Sequence, residues 1–97
     1  MDRKAPESVG DVLRNLLEET SLRQRMDELK AAEIWERIVG PSIADLTSRP
    51  LVKNGFMQIG VPNASLRQEL NMNRSRLKDL INSNFEKEII KEIKFTS

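Results

Sequence analysis

The sequence predicts an α+β domain, a small three-stranded antiparallel sheet covered on one face by helices, with elements in the order α-α-β-β-α-β. Three observations carry this. Apolar residues recur at helical spacing through the first 46 positions. An Asn54-Gly55 pair then joins two short runs of β character. After another helical stretch, the chain closes on a segment rich in β-branched residues.

The first helix is expected to begin at Ser8, because Ser8-x-x-Asp11 is a capping-box pattern. Val9, Val12, Leu13, Leu16 and Leu17 give it one apolar stripe, and Glu18-Glu19-Thr20 is expected to end it. Ser21 with Gln24 can cap a second helix carrying Leu22, Met26, Leu29, Trp35, Ile38 and Val39. Gly40 stops that helix, and Pro41, whose fixed φ suits a first helical turn, starts a short one over Ser42–Leu46.

Leu51–Lys53 and Phe56–Val61 read as a hairpin, since Asn-Gly supplies the two positive φ angles of a two-residue turn. Met57, Ile59 and Val61 share one face of its second strand. Pro50 marks the first strand as an edge or an opening position, and Pro62 stops the second. Asn63 caps a third helix from about Ala64 to Ile81, with Leu66, Leu70, Leu77 and Ile81 on its apolar side. Residues 85–95 suit a helix (Phe85, Ile89, Ile93) or a strand (Ile93, Phe95); their β-branched content favours a strand over about Ile89–Phe95. Placing the hairpin's first strand in the middle would make every neighbour antiparallel. The 97 residues are expected to form one domain, folded over about 8–95, with residues 1–7 flexible.

Composition excludes much chemistry. There is no Cys and no His, so disulfide frameworks, thiolate or imidazole metal sites and His-based nucleophilic catalysis are out of reach. The glycines at 10, 40, 55 and 60 match neither nucleotide-binding loop pattern. No enzyme activity and no cofactor are expected. The longest apolar run is two residues, against the ~20 of a bilayer span, and no signal-peptide pattern follows Met1. A cytoplasmic protein without membrane contact is the expectation.

Net charge is only +1, yet its distribution is uneven. Residues 47–81 hold six basic and two acidic side chains, while residues 1–20 hold three and five. On the third helix Arg67, Asn71, Arg74 and Lys78 form one polar stripe, and Arg49 and Lys53 lie on the neighbouring hairpin. Arg49, Lys53, Arg67, Arg74 and Lys78 are therefore the candidate phosphate contacts, set against the plainer reading of solubilising charges. No aromatic falls within this stripe. Trp35, the only Trp, reads as a core anchor or else as a partner-binding hot spot. The Leu13-Leu16-Leu17 stripe either packs on the domain or docks on another protein.

Trp35-Glu36-Arg37-Ile38-Val39-Gly40-Pro41-x-Ile43-Ala44-x-x-Thr47-x-x-Pro50 resembles the central region of the DciA-like proteins. The resemblance continues through Gly55-x-Met57-x-Ile59-x-Val61, Leu66-x-x-Glu69-Leu70 and Ile90-x-x-Ile93-x-Phe95, and back to Val12-Leu13-x-x-Leu16-Leu17. It implies a bacterial KH-like domain acting in DNA replication, associated with the replicative DnaB-type helicase and binding DNA. It implies no catalytic residue. Two rivals stand beside it: a protein-interaction module without nucleic acid, favoured by the near-zero net charge and the absence of a G-x-x-G loop, and an RNA-binding KH relative.

Overall fold

The computed structural model describes residues 8–97, with the side chains of residues 16–20 excepted. The expected flexibility of residues 1–7 lies outside the described residues, as do the side chains of Leu16 and Leu17. The order is α1 (Val9–Val39), α2 (Pro41–Ala44), β1 (Leu51–Lys53), β2 (Phe56–Gly60), α3 (Ala64–Met72), α4 (Arg74–Asn82) and β3 (Glu92–Thr96). The α+β class and the three-stranded sheet are as the sequence predicts.

The first two expected helices are one. α1 runs unbroken for 31 residues, about 46 Å at 1.5 Å per residue. Glu18-Glu19-Thr20 contains neither Gly nor Pro, so nothing stops propagation, and Ser21 is simply a helical residue. Ser8 does cap the start: its Oγ accepts from the Asp11 N–H at 3.1 Å. The Asp11 carboxylate turns outward to Arg14 instead of completing the box. At the other end Gly40 takes φ +86° and its N–H returns to the Glu36 carbonyl. Pro41 then opens α2.

The hairpin turn is as expected, with Asn54 at φ 53° and Gly55 at φ 87°. The third expected helix is divided. Asn73 leaves helical geometry at φ −105°, ψ 13°, and its Nδ2 donates to the Glu69 carbonyl at 2.9 Å. An Asn side chain that competes for backbone groups is enough to separate two nine-residue helices.

The last strand starts at Glu92 rather than Ile89, because Asn82 claims the residues before it. Asn82 Oδ1 accepts from the N–H groups of Ile89 and Ile90, and its Nδ2 donates to the Ile90 carbonyl, all within 3.0 Å. β2 lies in the middle, antiparallel to β1 and parallel to β3, so the sheet is mixed. The expected all-antiparallel order would have put β1 there. Three residues behind Pro50 are too few to serve two partners, whereas five-residue β2 presents both edges.

One face of the sheet, bearing Val52, Met57, Ile59, Ile93 and Phe95, is buried with Ala31, Ile34 and Trp35 of α1, Leu70 of α3, and Leu77 and Ile81 of α4. Trp35 is 1% exposed; its indole N–H donates to Thr47 Oγ1 at 3.4 Å, and its ring lies 5.8 Å from that of Phe95. Arg25 ties α1 to β1 by donating to the Val52 carbonyl.

Candidate nucleic-acid interface

Strand parity builds the candidate site. Because Met57 and Ile59 point into the core, Phe56 and Gln58 must point the other way. The same holds for Leu51 and Lys53 around Val52, and for Glu92 and Lys94 around Ile93. Register then sets these side chains in rows. Lys53, Phe56 and Glu92 are cross-strand neighbours, and Leu51, Gln58 and Lys94 form the next row.

This face borders an open groove of about 640 Å³ that Arg74, the first residue of α4, also lines. Three cations, Lys53, Arg74 and Lys94, stand against one carboxylate, Glu92. Asn73 provides no side-chain cap to α4. The positive end of a nine-residue helix therefore adds to the field beside Arg74. Phosphate oxygens suit this surface chemically.

Of the five sequence-predicted contacts, Lys53 and Arg74 come together here, and Arg49, Arg67 and Lys78 do not line the groove. Arg49 is exposed ahead of β1, and Lys78 is half-buried on α4. Arg67, also half-buried, spends its guanidinium on the Val61 carbonyl at 2.7 Å, which ties α3 to the end of β2. Trp35 proves to be a core anchor; a hot-spot role needs an accessible ring, and this one is enclosed. The sequence reading missed Phe56 and Lys94. Alternation around Met57 and around Ile93 already put them on the outer face, but only the parallel β2–β3 register shows that the two strands lie side by side.

A second groove of about 900 Å³ runs between α1, the hairpin turn and residues 87–91. Arg23, Lys87 and Lys91 there face Asp27, Glu28 and Glu88, so the charges balance and no anion is selected. α1 offers a different kind of surface. Along it, the first buried position among the described side chains is Glu28, and Val9, Val12 and Leu13 are exposed. Leu13 precedes Ala31 by eighteen residues, five whole turns. The face that α1 buries near its end is thus repeated, uncovered, near its start.

Among the described residues no group of His, Cys, Asp and Glu could hold a metal ion, and no helix is long and apolar enough to cross a membrane. Fold and surfaces together define a small α+β domain with a cationic open sheet face and an amphipathic helical extension. The sequence model described as Dna[CI] antecedent, DciA, matches residues 8–95. The chain belongs to the DciA family. That family is associated with loading of the DnaB replicative helicase and is not a known enzyme family. No curated protein matches the chain.

Proposed function

We propose that the protein is a non-enzymatic, cytoplasmic adaptor of bacterial DNA replication, a single KH-like unit over about 8–95 that engages a DnaB-type helicase and the DNA backbone. The family match across residues 8–95 carries this reading. The two surfaces divide the work. The apolar stripe at the start of α1, with Val9, Val12 and Leu13 in solvent, suits a groove on the helicase, in the manner of an amphipathic helix read at i, i+3 and i+4. Residues 9–20 carry three acidic side chains and one basic, which favours a groove with a basic rim.

Lys53, Arg74 and Lys94 hold phosphates. Three such contacts on a single strand imply a log–log salt slope near −2, from about 0.7 per phosphate. The test is a pull-down on purified DnaB-type helicase beside a DNA-binding titration at low and moderate salt. Leu13→Glu should abolish helicase capture and leave DNA binding intact; Lys53→Glu with Arg74→Glu should do the reverse. Helicase capture with no DNA binding at low salt would leave a pure protein-interaction module, the reading that the near-zero net charge favours.

A further inference from the structure

Phosphate binding by Lys53, Arg74 and Lys94 leaves the one aromatic side chain of the groove, Phe56, without a task. The chain has four aromatic residues, and three are committed. Trp35 and Phe95 pack ring against tilted ring in the core, and Phe85 lies partly buried beneath the Lys30 ammonium, 5.6 Å from the ring centroid. Phe56 is 55% exposed on the central strand. Its parity is fixed by Met57 and Ile59, so it cannot turn inward without expelling them.

We infer that Phe56 is a stacking platform for an unpaired base, which makes single-stranded DNA the ligand of this groove. The inference rests on the DNA-binding half of the function proposed above and specifies its substrate. Charge complementarity names the occupant. A ring flanked by Lys53 on one side, with Lys94 and Arg74 on the same groove, is the combination that grips a single strand: cations track the backbone and an aromatic face takes the base. A duplex offers the phosphates but not the base, whose two faces are already covered by its neighbours in the stack. Glu92, directly across from Phe56 on β3, repels a phosphate from the ring itself and leaves the backbone to the surrounding cations. At about 640 Å³ the groove lies within the range of small-ligand sites, and it is open at the surface, so a strand can enter and leave along it.

The test is fluorescence anisotropy with a labelled oligo-dT strand and with a labelled duplex of the same length, at fixed salt. Phe56→Ala should weaken single-strand binding by about 5- to 150-fold and leave duplex affinity unchanged, the range expected for one lost base stack. Phe56→Trp should retain the affinity and show emission quenched by the strand, against a wild-type background in which the enclosed Trp35 does not respond. If Phe56→Ala leaves single-strand affinity within about twofold while Lys53→Glu with Arg74→Glu removes it, the stacking platform is overturned and the phosphate site stands. If the wild-type protein binds neither DNA at low salt, the inference falls with the DNA-binding half of the proposed function. Tighter binding of RNA of matching sequence would overturn the assignment to DNA.

Discussion

The two faces of the sheet are written by the same strands and obey opposite rules. On the inner face Val52, Met57, Ile59, Ile93 and Phe95 are buried; on the outer face Leu51, Lys53, Phe56, Gln58, Glu92 and Lys94 stand in solvent. The inner set is dictated by volume and shape, since a close-packed interior responds to the loss of a methylene. Nothing in the fold dictates the outer set. An apolar ring, two rows of mixed polar and apolar side chains and an excess of cations on such a face therefore report on what the surface meets rather than on what holds the domain together.

The largest expected effect lies on the inner side. Trp35→Ala should cost about 3–5 kcal/mol, the range for emptying a large aromatic site. It would also orphan its contact with Phe95 and the hydrogen bond to Thr47. Thermal unfolding should show a fall in Tm of at least about 12 °C, taking about 4 °C per kcal/mol for a domain of this size. A matching fall for Phe56→Ala would abolish the distinction between the faces, because that ring would then be a packing residue.

Asn82→Ala comes next, at about 2–3 kcal/mol. It removes three hydrogen bonds to the backbone of Ile89 and Ile90 and leaves polar groups unpaired beside a fully buried side chain. Amide exchange should speed up at 89 and 90, and in β3 behind them, before it does in β1. Gly55→Ala should follow at about 1–2 kcal/mol, the cost of a Cβ at φ +87°. The new methyl would also lie about 3.0 Å from Lys91 Cγ, so that side chain would have to give by a few tenths of an ångström. Denaturant titration separates these two from Trp35→Ala by size.

Much of this architecture is legible from residue order, and the failures have specific causes. The Asn54-Gly55 turn, the Gly40-Pro41 break and the Ser8 and Asn63 caps each rest on backbone chemistry within three or four residues, and each is found. The expected end at Glu18-Glu19-Thr20 rested on no breaker, and the helix continues. The division at Asn73 depends on where one amide turns, which periodicity does not report. Alternation tells which face a strand residue takes but not which strand lies beside it. The cationic stripe drawn on the third helix therefore captured Arg74, but it also took in Arg67, whose guanidinium is needed at the Val61 carbonyl. Phe56 and Lys94 escaped because their neighbourhood arises only when β3 returns parallel to β2.

The smallest stability change is expected at Lys94, where two explanations of an outer-face cation can be set against each other. β3 is an edge strand, and a lysine midway along an edge discourages pairing with another chain. Lys94 also stands beside Gln58 on the groove with Lys53 and Arg74, where it would neutralise a phosphate. Lys94→Gln keeps length and polarity, so Tm should move by no more than the equivalent of about 0.5 kcal/mol under either explanation. The binding data then decide. A phosphate contact predicts that the salt slope on a single strand becomes shallower by about 0.7, with the protein still monodisperse. A guard alone predicts an unchanged slope and self-association that rises with concentration in sedimentation. The outer face counts as a ligand surface only on the first outcome, since on the second its charge serves the sheet after all.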